Sequence, residues 1–359
     1  MSAALVHSHV TAPLSVTHSA DVDAHEWDGF VEAHDAGTMF HLSGWGEVSR
    51  AAYGYEPVYI TARRDGNLAG VLMLTDVRSP LLGRSLISTA FTVGGGPLAD
   101  DDAVFSGLLE AAFVIGEERG VRYIECRSDC AADQNRWVAK TGVYAGFTML
   151  IPEEEADNLQ AVPRKRRAEI RKSLAAAAAG ELSVRHDADI DEFYALYARA
   201  LKTHGTPVFP KKFLQALVDI FKHRLEIAAV DYRGAPAACL LSFYFRNVVL
   251  PYYVGASADA RALRAYDYLY WSLMRHAAGR GCRRLDFGRS KIGEGSYQYK
   301  KLWGGEPTPL TYGVRLIGAS DMPNVNPNNP KFSLFAKTWP YLPLSVANRL
   351  GPLLAPNFP

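Results

Sequence analysis

The densest set of chemically capable side chains falls in one stretch, Asp286-Phe287-Gly288-Arg289-Ser290-Lys291-Ile292-Gly293-Glu294-Gly295-Ser296-Tyr297-Gln298-Tyr299-Lys300-Lys301-Leu302-Trp303-Gly304. It leaves the apolar strand pattern of residues 283–288, so it stands at a strand's carboxyl end, where ligands sit in α/β sheets. Its glycines let backbone approach a ligand closely. Arg289 can hold a phosphate or carboxylate bidentately, with Ser290 and Tyr297 beside it. Lys300 or Lys301 offers a cation for the oxyanion that forms when an amine attacks a thioester or ester carbonyl. A solvated loop with incidental charges is the blander reading, and the interleaved Tyr and Trp argue against it.

Other candidates are scattered. His204, in Lys-Thr-His-Gly-Thr-Pro, is a candidate base for the amine proton, though a loop histidine equally serves as a local hydrogen-bonder. Asp267, at the start of a predicted helix, either orients the amine or serves the helix dipole. Arg164 and Arg167 belong to a basic run, Arg164–Lys172, that either clamps substrate phosphates or forms a solvated helix face. Tyr252, Tyr253 and Trp271 are candidate walls of a substrate pocket, together with Tyr244. Gly255, Arg261 and Arg264, ahead of the same helix, are the candidate contacts for a carrier pyrophosphate, which a helix N-terminus favours. No Ser or Cys has a nucleophile-elbow setting, so direct attack without a covalent enzyme intermediate is expected.

The elements that must position these residues occur twice. Residues 93–125 overlie 254–286 at a constant offset of 161 without a gap, matching Val93-Gly94 with Val254-Gly255 and Arg119-Gly120 with Arg280-Gly281. Each copy begins with a strand pair, Pro57–Arg63 with Leu68–Val77 and Leu225–Tyr232 with Ala237–Phe245. Asp65-Gly66 is a hairpin turn signal in the first. A further strand follows in each (Ser85–Val93; Val248–Val254). Apolar residues at helical spacing then predict helices over about 101–119 and 264–279, and short strands lead out. This order is that of the GNAT acetyltransferase fold: an α/β (α+β) architecture of two tandem domains, each a mixed, mostly antiparallel sheet flanked by helices. The expected limits are a flexible segment over 1–20, a first domain over 21–155 and a second, catalytic domain over 156–318. A tail over 319–359 packs on the body or on a membrane surface.

Bulk properties agree. A chain of 359 residues suits two cores. The formal charge of +1 argues against a dedicated nucleic-acid binder. Four scattered cysteines suit a reducing compartment, and Cys126 with Cys130 lacks the second close pair of a zinc site, so no metal is expected. The first residues lack the basic and apolar regions of a secretory signal, and no run is long enough to span a bilayer. A cytoplasmic protein, peripheral at most to the inner membrane, is expected.

Asp286-Phe287-Gly288-Arg289-Ser290 and Gly295-Ser296-Tyr297-Gln298-Tyr299-Lys300-Lys301-Leu302-Trp303-Gly304 together resemble the FemAB-related branch of the GNAT superfamily. More narrowly, they resemble the exosortase (PEP-CTERM) system-associated group with a BioF2-like acetyltransferase domain. Pro163–Arg167, Gly205–Pro210, Tyr266–Trp271 and the 329–353 tail support this. The resemblance implies twin GNAT-like domains, and it places Lys300, after Tyr299, at the reacting carbonyl. Its peptide-bridge-forming relatives use aminoacyl-tRNA. This chain lacks their long charged coiled-coil insertion, so acyl-CoA is the expected donor, with an acyl-carrier protein next and aminoacyl-tRNA last. The expected activity is N-acyl transfer to an amine of a cell-envelope lipid or polysaccharide precursor. Three alternatives stand beside it: long-chain N-acylation of a lipid amine such as a sphingoid base, aminoacyl-tRNA-dependent bridge formation, and a non-catalytic scaffold in exopolysaccharide assembly.

Overall fold

The computed structural model describes residues 13–80, 82–130, 137–321 and 337–357. Its first half runs β1 (Ser15–Ser19), α1 (Ala24–Ala33), α2 (Gly44–Tyr53), β2 (Pro57–Arg64), β3 (Asn67–Ser79), β4 (Gly83–Ser88), β5 (Leu98–Ala99), α3 (Asp102–Glu118), β6 (Tyr123–Cys126) and β7 (Val138–Leu150). Two connecting helices follow, α4 (Glu155–Ala161) and α5 (Arg164–Ala178). The order then repeats as β8 (Leu182–Arg185), α6 (Ile190–Thr203), α7 (Lys211–Phe221), β9 (Leu225–Tyr232), β10 (Ala235–Phe245), β11 (Val248–Ala256), α8 (Ala265–Gly279), β12 (Arg284–Lys291), α9 (Gly295–Lys301) and β13 (Glu306–Leu316). A last helix, α10 (Leu344–Leu354), closes the chain.

Side chains alternate across a strand, and here both faces are covered. Val71, Met73 and Val77 of β3 enter a core beneath α1, α2, α6 and α7, while Ala69, Leu72 and Leu74 face α3. In β10, Cys239, Leu241, Phe243 and Phe245 join that same central core, and Ala238, Leu240 and Tyr244 face α8. The central core therefore belongs to both halves. Trp45 of the first half packs edge-on against Phe243 of the second at 5.6 Å.

All strands form one sheet, in the order β1-β2-β3-β4-β6-β13-β7-β12-β11-β10-β9-β8, with β5 beside β3. The order is palindromic about the β13–β7 pair. It also contains an exchange: β13, the last strand of the second half, pairs with β6, and β7, the last strand of the first, pairs with β12. Each half is completed by the other's strand.

Two expectations need correction. Ser15–Ser19, inside the segment expected to be flexible, is an edge strand held by its ladder to β2. The strand expected over Ser85–Val93 ends at Ser88, because Thr89 and Phe91 take left-handed backbone conformations (φ 44° and 68°) that break the ladder. The tail is partly described. Trp339 is buried, α10 packs on α6, and Asn357 accepts a 2.8 Å hydrogen bond from Ser79. The Pro- and Asn-rich run 323–330, with Phe332 and Phe335, lies outside the described residues.

Candidate active site

A pocket forms where parallel strands part. β11 and β12 pair only through Val248 and Val249 against Arg284 and Leu285, then diverge. Tyr252 is the extra residue of a bulge in β11, and β12 leaves its ladder with β7 between Asp286 and Arg289, where Gly288 sits at φ 66°. Bulges re-aim side chains. Here the result is a cavity of about 240 Å³ walled by Tyr252 and Tyr253, by Phe287 to Arg289, by Lys300 of α9, by Phe209, and by Phe91 to Val93 of the first half.

The first-half wall lies where the broken strand turns. Its left-handed residues are held from behind by the Arg127 guanidinium, which donates to the carbonyl oxygens of Thr89 and Thr92. Arg127 pairs with Glu125 at 3.4 Å, and Lys140 approaches the same carboxylate at 3.3 Å. Burial pushes Glu125 up, but Arg127, Lys140 and Arg289 together hold it below the usual carboxylate range. Strained backbone of this kind persists where surroundings over-determine it, and it gathers at functional sites. The Tyr252 hydroxyl donates to the Phe91 carbonyl at 3.4 Å, so the walls from the two halves touch.

Lys300 reaches across the wedge. Its ammonium donates to the carbonyl oxygens of Arg289 (2.8 Å) and Gly288 (3.2 Å), which fixes its position without neutralising it. Burial lowers its pKa to about 8, with Arg289 adding to the effect and Asp286 opposing it. Arg289 is held by aromatic faces rather than by an acid. Its guanidinium lies 4.6 Å from the Tyr144 ring centroid and donates to the Tyr312 hydroxyl at 3.1 Å. Among the described residues it makes no ion pair with a carboxylate. Burial pushes the Asp286 pKa up, against the hydrogen bond it accepts from the Gly288 N–H (2.8 Å) and the nearby charge of Lys300. A cation beside an aromatic cleft, with a second cation awaiting an anion, is a setting for attack on a carbonyl.

The chain matches the acetyltransferase (GNAT) domain family over residues 164–301, a span that contains Lys300, Arg289 and the pocket's second-half wall. Residues 164–301 form a GNAT acetyltransferase domain. The whole fold is similar to that of FemX (TM-score 0.68, 15% identity, covering 89% of this chain and 100% of that one). It is also similar to the C-terminal DUF2156 domain of a putative lysylphosphatidylglycerol synthetase from Agrobacterium fabrum (TM-score 0.55, 15% identity, 81% and 91% covered). A tandem GNAT protein from the clavulanic acid biosynthesis pathway matches at a TM-score of 0.55, with 12% identity and 86% and 100% covered. No curated protein sequence matches. The likenesses show a tandem GNAT fold, and the GNAT domain makes the chain an acyltransferase.

Within this GNAT domain the sequence-predicted residues separate. Lys300, Arg289, Tyr252 and Tyr253 meet at the pocket. Tyr297 packs edge-on against Phe147 at 5.1 Å, and Ser290 is buried beside Arg289 with its hydroxyl unpartnered among the described residues. Trp271 is in the core under α8 and is not a pocket wall. His204 ends α6, exposed, and lines no part of the pocket. Asp267 pairs with Arg166, whose guanidinium also lies over Tyr299 at 4.9 Å and Trp303 at 5.5 Å. The basic run thus turns one arginine inward to tie α5 to α8 and α9, leaving Arg164 exposed and Arg167 half-buried.

The pyrophosphate candidates also divide. α3 is capped by Asp101, whose carboxylate accepts from the Val104 N–H at 2.9 Å and pairs with Arg64. α8 is preceded by Arg264 in a left-handed conformation (φ 59°) with no side-chain cap; the Ala265 N–H donates to the Ala260 carbonyl at 2.9 Å, and the Tyr266 and Asp267 N–H groups receive no capping side chain. Arg264 lies 3.5 Å from Glu169, and Arg261 is exposed. Gly255 serves packing: an added Cβ would lie 2.4 Å from the Tyr197 backbone nitrogen. Gly255→Ala is expected to cost about 1–3 kcal/mol by overpacking α6 against β11. Gly279→Ala, with nothing within 4 Å, leaves the melting temperature unchanged or raised. Calorimetry of the two variants checks this.

The first-half wall and Phe209 were not legible as pocket residues in the sequence. A separate cluster of His186, Glu226 and His276 has ligand-type atoms within 4.8 Å of one another. The Arg280 guanidinium already donates to Glu226 at 2.7 Å and the two imidazoles stack at 3.9 Å, so the cluster reads as an ion-pair network, and it lines no part of the pocket. All four cysteines are buried and free.

Proposed function

We propose that the protein transfers an acyl group from acyl-CoA to the amine of a cell-envelope lipid or polysaccharide precursor, on the cytoplasmic side of the membrane. The second domain, proposed over 156–318, carries the chemistry, with β7 of the first half completing its sheet. The placement of Lys300, an ammonium fixed by two carbonyl oxygens at an aromatic cleft, carries this reading. The acceptor nitrogen's lone pair attacks the thioester carbon, and the carbonyl oxygen becomes an oxyanion beside the Lys300 ammonium. As the intermediate collapses, the C–S bond breaks and the thiolate leaves with the proton the amine gives up. Positioning by the cleft contributes most of the acceleration. Arg289 holds an anionic group of one substrate, and the uncapped start of α8, with Arg261 and Arg264, receives the carrier pyrophosphate.

A second reading keeps the chemistry and makes the donor a long-chain thioester and the acceptor a lipid amine such as a sphingoid base. The aromatic walls favour it. The cleft is half open to solvent, and its volume of about 240 Å³ falls just below the roughly 300–1,000 Å³ of pockets that take up a whole drug-sized ligand, which favours holding the reacting ends only. An acyl-CoA series from acetyl to palmitoyl, read by free-thiol release with an amine acceptor, decides between them. Amine-dependent release that falls with chain length is the expected result. Release that rises with chain length moves the assignment to the lipid reading. Amide formation from aminoacyl-tRNA alone, with no thiol released from any acyl-CoA, overturns the donor.

A further inference from the structure

Two segments remote in sequence share an unusual charge pattern and meet in space. Residues 193–218 contain four Lys or Arg and no Asp or Glu, and residues 322–359 contain three and none, in a chain whose net charge is only +1. The described part of the second segment, 337–357, packs on the first: α10 lies against α6, the Lys202 ammonium donates to the Pro340 carbonyl at 2.6 Å, and Gly351 seats against Val208. The face that α10 turns inward carries Ala347 and Gly351. One flank of the helix, between that face and the outward Ser345 and Arg349, is apolar and exposed. Val346 (38% exposed), Leu350 (41%) and Leu353 (71%) recur at i, i+4 and i+7, and Tyr341, just ahead of the helix, is 88% exposed. Arg349 beside the stripe, Arg199 on α6 and Lys212 on α7 are exposed cations.

We propose that this face docks on an anionic lipid bilayer. An apolar stripe on a helix without acids, with cations on that helix and on its neighbours, suits the headgroup boundary: the apolar side chains enter it while the cations meet lipid phosphates. Among the described residues no helix is long and apolar enough to cross a membrane, so the contact is peripheral. The segment beneath α10 also carries Phe209 of the pocket wall, so the docked surface adjoins the site. The inference deepens the proposed function by naming the surface where the acceptor is met. Vesicle binding needs no catalysis, so either can fail without the other.

The test is co-sedimentation of the full chain with phosphatidylcholine vesicles and with vesicles containing phosphatidylglycerol. Binding to the anionic vesicles is expected to be roughly tenfold to a hundredfold tighter, given several cations near the surface, and to weaken as salt rises. Leu350→Ser with Leu353→Ser, and separately Lys212→Glu with Arg349→Glu, change only exposed side chains. Each pair is expected to reduce binding about tenfold or more with an unchanged melting temperature. Equal binding to neutral vesicles, no binding to either, or unaltered binding by both variants overturns the proposal. So does a dimer in vesicle-free buffer that the leucine variant abolishes, since the stripe then belongs to a second copy.

Discussion

Lys300→Ala is expected to lower turnover by about a hundredfold to a thousandfold while the protein stays folded, because in the proposed mechanism it removes the cation that meets the oxyanion. The two oxygens it leaves, of Gly288 and Arg289, border a cavity that water can enter, so stability is little affected. The pH profile separates a charge role from a merely structural one. Burial has lowered the Lys300 pKa to about 8, so the ammonium is present below that pH and lost above it. The wild-type rate therefore falls as pH rises through about 8, and Lys300→Arg, slower but permanently charged, lacks that limb. Stability moves the other way: between about 8 and the ordinary lysine value the unfolded chain binds more protons, so this group's contribution to folding improves with pH. Steady-state rates of the three proteins from pH 6 to 10 give the answer, and unchanged turnover in the alanine variant removes Lys300 from the mechanism.

Arg289→Met is expected to act on binding. The guanidinium has aromatic faces and a tyrosine hydroxyl around it and no carboxylate partner among the described residues, so the free protein gives up no ion pair when it goes. A charge-assisted hydrogen bond to an anionic substrate group is worth about 1.5–3 kcal/mol, so KM for that substrate should rise roughly tenfold to a hundredfold and more. The melting temperature should hold or rise, since a half-buried cation has been replaced by an apolar side chain of similar reach. Turnover at saturation changes far less than in Lys300→Ala. A KM that stays at the wild-type value for donor and acceptor alike would falsify the anion-holding role.

The halves were legible because periodicity and turns are local. The helices expected over 101–119 and 264–279 occur as Asp102–Glu118 and Ala265–Gly279, since their apolar stripes and Arg-Gly ends are written in consecutive residues. The exchange of β7 and β13 was not legible. A ladder is made by backbone groups that are alike in every strand, so the order of elements does not say which neighbour a final strand chooses. The first-half wall was hidden for a related reason. Thr89 and Phe91 belong to the types that favour strands, and what turns them is Arg127, a residue far along the chain. That Lys300 and Arg289 share one pocket was legible, because both lie in one short polar stretch. That His204 and Asp267 stand away from the pocket was not legible: a loop setting carries no information about distance from a cleft, and the partner of Asp267, Arg166, lies a hundred residues away.

The interlocked sheet constrains how anything enters. Phe91 to Val93 and Tyr252 to Arg289 come from opposite halves, yet β7 and β13 are stitched to both by continuous ladders. Swinging one half away from the other would tear main-chain hydrogen bonds along the middle of the molecule. Clamshell opening, a common way for two-lobed enzymes to admit their ligands, is therefore closed to this protein. Its gate must be local, made of whichever side chains and turns around the wedge lie outside the ladder, and substrates thread into a rigid frame.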